Sequence, residues 1–400
     1  MKSLRTGDQN LVKQINKSIV FNTIKNKGPL SRSQISKETG LNKATVSTMV
    51  TELVKESFVH EIGEGQSSGG RKPVMLFFNQ HAGYSIGIDL GVNYILGILT
   101  DLSGNIVYKE TINFISIETD EIIKEIHSII ELLIKKSPES TYGIVGIGIG
   151  VPAQINKYGK VLFAPNLKWK NVILKEMIED YFHIPTKIEN EANAGSHGEK
   201  LYGAGKNISN QVYVSIGIGI GTGIVINNQL YKGATGISGE MGHSTIDSNG
   251  RKCSCGNRGC WELYASEKAL LNAAQEQRIF DNSRIIDLDF LLDQAKQGNP
   301  KVIQLLNTLG ENIGIGIINI INTFDPEIVI IGNRIAQFKN WIKNPIERIL
   351  DERLSIFHKS KTEIRFSVLG NYSTALGANS FAITDFLSKM KITETKLVQV

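Results

Sequence analysis

Three shortages narrow what this chain can be. Cysteine is nearly missing, with three in 400 residues, all between positions 253 and 260. Three thiols cannot all pair with one another, which argues against a disulfide framework. A long apolar run is also missing. The longest, around residues 144–152 and 314–321, are broken by glycine or too short to span a bilayer. No charged-then-apolar leader ending in a small-residue cleavage site opens the chain. These absences predict a cytoplasmic protein with no membrane contact. Strong net charge is the third shortage, at +5 overall, but the small sum hides an uneven distribution. Residues 1–78 hold 12 Lys and Arg against 6 Asp and Glu, whereas the rest holds 32 against 33. The whole positive surplus therefore sits on the first fifth of the chain, which predicts an anionic partner for that part alone.

What is present begins with the cysteines themselves. A short loop that crowds three thiols suits a soft metal better than a disulfide. With His243, the residues Cys253, Cys255 and Cys260 make a Cys3His set, the usual complement of a closed structural zinc site. Gly256 and Gly259 let the backbone fold tightly enough for Cys255 and Cys260 to face one ion. The competing reading, three incidental reduced thiols in a glycine-rich loop, leaves their clustering unexplained.

The N-terminal segment predicts a winged helix-turn-helix over residues 1–80. Leu11, Ile15, Ile19, Val20 and Ile24 mark a first helix that ends near Lys27-Gly28-Pro29. Ser31 opens a second with Gln34 three residues on, a capping-box arrangement. Gly40 breaks it, Leu41 anchors the turn and Asn42 starts a third helix. There Val46, Met49, Val50 and Leu53 follow the i, i+3, i+4, i+7 spacing of a buried face. The opposite face offers Lys43, Ala44, Thr45, Ser47, Thr48 and Thr51, short or hydroxylic side chains that permit close approach to a groove. Strands are expected at residues 58–62 and 74–78, joined by the loop GEGQSSGGRKP as a wing, with Arg71 reaching an adjacent minor groove. The candidate DNA contacts are Ser31, Lys43, Ala44, Thr45, Ser47, Thr48, Arg71 and Lys72. A three-helix dimerisation or docking module is the alternative, and the basic surplus with the basic wing tip argues against it.

From Tyr84 onward the composition turns to Gly- and Ile-rich strands. GIDLGVNYILGILTDLSGNIV, starting at residue 87, reads as a hairpin. VSIGIGIGTGIVINNQLYKG, starting at 214, reads as a second. Two such units predict two related α/β lobes. Their glycine-rich turns suit either a phosphate cradle or a tight hairpin. The order GIDLG, GVPAQIN with APNLKW, ENEAN, GIGTGIV, GEMGH and CSCGNRGCWE is similar to the ROK family of repressors, open reading frames and kinases. The resemblance covers essentially everything after Asn79. It implies an α/β, two-lobed actin/hexokinase-like domain over residues 81–400, with lobe 1 about 81–190 plus 370–400 and lobe 2 about 191–369. A helix around residues 374–387 should return to the first lobe. It also implies a sugar site of Asn166, Asn190, Glu191, Glu240, His243 and Glu262, with His243 shared between zinc and sugar. Carboxylates accept from hydroxyls and amides both donate and accept, so the set suits a polyol. The alternative for Glu240 and Glu262 is a backbone-satisfying role beside the metal loop.

Two departures bear on phosphoryl transfer. Family kinases carry a DxGGT-like loop, whereas Asp89-Leu90-Gly91 is followed here by Val92, Asn93 and Tyr94; the bulk of Val92 impedes close approach to phosphate. The acid of the ENDAN-type motif is Glu191 rather than Asp, and the extra methylene displaces a base that must sit about 2.6–3.2 Å from its hydroxyl. A paired glycine of the adenosine site reads Gly332-Asn333, while GIGTG is intact. The resemblance thus implies a sugar-responsive, non-enzymatic repressor: a homodimer on operator DNA, released by xylose or a related aldose. An ATP-dependent sugar kinase with a DNA-binding appendage is the alternative.

Overall fold

The computed structural model describes residues 9–64, 73–115, 118–156, 158–280, 286–355 and 362–388. Helix α1 (Gln9–Lys27) buries Val20, Phe21 and Ile24 and stops at Gly28-Pro29. A two-residue strand, β1 (Leu30–Ser31), leads into α2 (Arg32–Thr39) through a complete capping box. The Ser31 hydroxyl accepts from the Gln34 N–H, and the Gln34 side chain accepts from the Ser31 N–H at 2.8 Å. Gly40 ends α2 in the left-handed conformation, at φ 71°. Asn42 then caps α3 (Lys43–Lys55), accepting from the Thr45 N–H at 2.8 Å. The hairpin β2 (Val59–Glu64) and β3 (Val74–Phe78) follows, with β3 between β1 and β2. Three helices and a hairpin thus follow one another in the order expected from the sequence. The first hairpin strand starts one residue later than its pattern suggests, because Ser57 turns at φ 59° and drops Phe58 into the core. The wing residues Arg71 and Lys72 lie outside the described residues.

The core of this head continues into the rest of the molecule. Phe21, Val50, Leu53, Phe58 and Phe78 pack in one apolar cluster with Ala82, Leu102, Val145, Ile383 and Leu387. The chain then builds a first sheet from β4 (Tyr84–Leu90), β5 (Tyr94–Asp101) and β6 (Ile106–Asn113), an antiparallel meander. After α4 (Thr119–Lys136), β7 (Ile144–Val151) joins parallel to β4. A small antiparallel sheet of β8 (Gln154–Ile155), β9 (Val161–Ala164) and β10 (Trp169–Val172) projects beyond it. Helix α5 (Leu174–Phe182) leads to β11 (Thr186–Asn190), parallel to β7, and α6 (Glu191–Tyr202) follows directly.

The second sheet repeats the first. A meander of β12 (Gln211–Ile216), β13 (Ile220–Ile226) and β14 (Gln229–Leu230) comes first. The metal-candidate loop and four helices follow, α7 (Glu262–Ala265), α8 (Glu267–Glu276), α9 (Leu288–Lys296) and α10 (Pro300–Phe324). Then β15 (Ile328–Gly332) pairs parallel to β12 and, after α11 (Lys339–Arg353), β16 (Glu363–Phe366) pairs parallel to β15. The strand orders β11-β7-β4-β5-β6 and β16-β15-β12-β13-β14 are the same ladder twice, the duplication visible in the hairpin sequences. The last helix, α12 (Ser373–Ser388), returns to β4 and β7 and lies along α6. Their approach is backbone to backbone: a β-carbon on Gly377 would fall on the Ala194 carbonyl oxygen.

Candidate functional site

The two sheets direct their turns into one cleft. Asn166, Asn190 and Glu191 line it from the first sheet's side, and Glu240, His243 and Glu262 from the second's. Each is placed by local structure. Asn166 sits on the single turn of Pro165–Leu167 that follows β9. Asn190 ends β11 and caps α6, its Oδ1 accepting from the N–H groups of Ala192 (2.9 Å) and Asn193 (3.1 Å) while Nδ2 donates to Ala153 O at 3.0 Å. That leaves one side-chain N–H of Asn190 without a partner among the described residues. Glu191 is the first residue of α6, and Glu240 and His243 bracket a short 3-10 turn. Glu262 opens α7. Burial, reinforced by the nearby Asp89 charge, pushes the Glu191 carboxyl up to about 8, so it is largely protonated at neutral pH. Burial also raises Glu240, against the pull of His243.

The turn after β4 holds a residue that sequence reasoning overlooked. Tyr94 donates from its hydroxyl to Asp89 Oδ2 at 2.8 Å. Its ring covers Gly91 so closely that a β-carbon there would overlap it. Asp89 is 4% exposed, and burial raises its carboxyl to about 7 despite the Tyr94 bond. Its second oxygen, Oδ1, is buried and has no partner among the described residues. An aromatic five residues after the acid was the available signal, whereas attention to bulk at Val92 missed it. On the opposite wall Asn333 adopts φ 64°, ψ −163°, a backbone region that favours glycine. Its amide donates to Ser215 Oγ at 3.0 Å, and the adjacent Arg334 pairs with Glu267 at 3.1 Å.

The loop between β14 and α7 gathers the metal-candidate residues. One ligand atom each from His243, Cys253, Cys255 and Cys260 lies within 4.8 Å of all the others. The Cys255 and Cys260 sulfurs are 3.7 Å apart, and Cys253 Sγ is 3.7 Å from His243 Nδ1. Around a tetrahedral ion with thiolate bonds of about 2.3 Å, neighbouring sulfurs sit about 3.8 Å apart, so donor set and spacing both fit a metal ion. Bridges Thr245–Cys260 and Lys252–Arg258 hold the loop, and Gly259, at φ 65°, passes where any β-carbon would strike the Asp247 carbonyl. His243 turns Nε2 the other way, toward Glu240 at 4.0 Å, while Glu262 lies 3.4 Å from Nδ1. The loop and the cleft therefore share a wall.

On the head, Lys43, Ala44, Ser47 and Thr48 of α3 are exposed and Thr45 half-buried, a continuous outward face. Ser31 does not belong with them. It is 3% exposed and its hydroxyl is engaged with Gln34 and Ser33, so it is a helix cap, not a DNA contact.

The motif order along the cleft decides the relationship: the sequence signature of the ROK family matches residues 85–385. The chain belongs to the ROK family. It is 48% identical over 387 residues to the xylose repressor of Bacillus spizizenii, covering 96% of this chain and 99% of that one. Among solved structures it is similar to a ROK family transcriptional regulator homologous to the Escherichia coli MLC protein, with a TM-score of 0.79, 29% identity and coverage of 96% and 99%. A ROK glucokinase of Streptomyces griseus, solved with glucose and AMPPNP, aligns with a TM-score of 0.68 and 26% identity, over 75% of this chain and 99% of that one. The two-lobed α/β architecture expected from the resemblance is the one observed. No described helix is long and apolar enough to cross a membrane.

Proposed function

We propose that the chain is a sugar-responsive transcriptional repressor of xylose-utilisation genes. It divides into a DNA-binding head over residues 1–80 and a two-lobed sugar-binding body over 81–400. The observation that carries the reading is the double character of the cleft. Six polyol-compatible side chains converge on it, while the turn that would cradle phosphate is filled by Tyr94. Two full-length relatives with regulatory names support the same reading.

In the sugar-free protein, a homodimer would set two α3 helices into successive major grooves, about 34 Å apart, with Lys43, Ala44, Thr45, Ser47 and Thr48 facing the DNA. Xylose would enter between Asn166, Asn190 and Glu191 on one wall and Glu240, His243 and Glu262 on the other. A ligand that touches both lobes favours the arrangement in which both contacts form, and it shifts the equilibrium by that differential affinity. Zinc held by His243, Cys253, Cys255 and Cys260 would fix the loop that presents His243 and Glu262. The body would work in the cytoplasm, where its thiols stay reduced.

The test is operator affinity against xylose at fixed salt, since phosphate contacts make the affinity salt-dependent. Xylose should weaken binding in a saturable way. Unchanged affinity, or ADP release on adding ATP with xylose or glucose, overturns the reading.

A further inference from the structure

We propose that α12 carries the sugar signal to the DNA-binding helix, with Tyr142 and Phe386 as the positioning residues at its output end. The inference rests on the repressor reading above and adds the route by which cleft and head communicate.

At its input end α12 is tied to the residue that opens the cleft's own helix. The Thr374 hydroxyl donates to the Glu191 backbone carbonyl at 3.2 Å. One residue earlier, Ser373 Oγ donates to the buried Glu199 carboxylate at 2.7 Å, a second tie to α6. One turn further along α12, Gly377 sits against the Ala194 carbonyl with no side chain intervening. Helix α6 in turn packs on β12 and β13 of the second sheet, where a β-carbon on Gly223 would also overlap the Ala192 carbonyl oxygen. A change in how the second sheet sits against the first therefore reaches α12 through hard backbone contacts. Interiors packed this densely transmit displacement instead of absorbing it.

At its output end the same helix enters the head. Sixteen residues span about 24 Å, and the last turns bring Ile383 and Leu387 into the apolar cluster that contains Val50 and Leu53 of α3. Phe386 lies 5.3 Å from the Tyr142 ring and 5.9 Å from Phe58. Tyr142 stacks on Phe58 at 4.9 Å and donates from its hydroxyl to the Glu56 carbonyl at 2.7 Å. Glu56 is the cap residue of α3. The end of α3 is tied within the head by Lys17 to Glu56 and, from the body, by the Tyr142 ring and its hydrogen bond, both beside the end of α12.

The experiment uses the full-length chain, with operator affinity measured with and without saturating xylose and xylose affinity measured by calorimetry. Tyr142→Phe deletes the bond to Glu56 and keeps the ring, while Phe386→Leu keeps the core apolar and removes the aromatic contact. Neither residue lines the cleft. Coupling between distant sites is typically about 5- to 150-fold in affinity. Both variants should bind xylose as the parent does and hold sugar-free operator, yet lose about threefold or more of the xylose-induced drop in DNA affinity. By reciprocity, operator DNA should weaken xylose binding less in the variants by the same factor. Parent-like coupling in both variants overturns the proposal. So does loss of sugar-free operator binding by Tyr142→Phe, which would make Tyr142 a prop of the head. A parent chain that binds operator and ignores xylose instead sinks the repressor reading, and this inference with it.

Discussion

Replacing Tyr94 by Phe removes one hydroxyl and tests how the blocked turn is held. In the parent, that hydroxyl donates to Asp89 Oδ2, and Asp89 Oδ1 has no partner among the described residues. A hydrogen bond to a charged group contributes about 1.5–3 kcal/mol and one between neutral groups about 0.5–1.5. The bond therefore favours ionised over protonated Asp89 by about 1–1.5 kcal/mol. At about 1.4 kcal/mol per unit, its loss moves the folded-state value from about 7 toward about 8. Asp89 is an acid whose folded value is raised above its unfolded one. Its stabilising contribution is complete below pH 4 and fades as pH climbs to 7 in the parent, or to 8 in the variant. The cost of Tyr94→Phe should consequently be small at pH 5.5 and larger by about 1 kcal/mol at pH 8.5. Denaturant midpoints at the two pH values measure this difference. A cost independent of pH, or greater in acid, would refute the claim that Tyr94 holds an ionisable Asp89.

Three further outcomes are expected. His243→Ala should lower both bound metal, measured by atomic absorption, and xylose affinity; unchanged sugar affinity in a folded, metal-poor variant would separate the loop from the cleft. Lys43→Ala should weaken operator binding across sequences and reduce the slope of log affinity against log salt by about 1. Ser31→Ala should instead cost about 1 kcal/mol of stability through the lost cap and leave that slope unchanged.

Much of the head was legible because caps are local chemistry. Ser31, Gln34, Gly40 and Asn42 each act within four residues of themselves, so their types announce the breaks between helices. The same locality hid the second role of Asn190, whose capping bonds look no different in sequence from a free amide. Ligand spacing revealed the metal-candidate loop, since a soft ion needs several thiols in reach and few other structures do. Periodicity marked the duplicated hairpins and their buried faces but not what covers them. Tyr142 meets Glu56 across 86 residues of chain and Asn379 meets Thr100 across 279, and no local pattern encodes such pairings. Tyr94 fell between these cases: its ring was visible, but its hydroxyl's partner was fixed only by the turn at Gly91.

The apolar cluster that runs from the head into the body bears on how the protein could be rebuilt. Phe58, Phe78 and Leu76 share their packing with Val145, Ile383 and Leu387, so the first 80 residues do not form a cassette to be cut at a linker. Grafting them onto another body, or another head onto this one, would leave facing rings and aliphatic side chains without their counterparts. A working chimera would have to carry the matching patch, including the end of the last helix, from the same parent. Operator choice and inducer choice are thus recombined at the price of transplanting a seam.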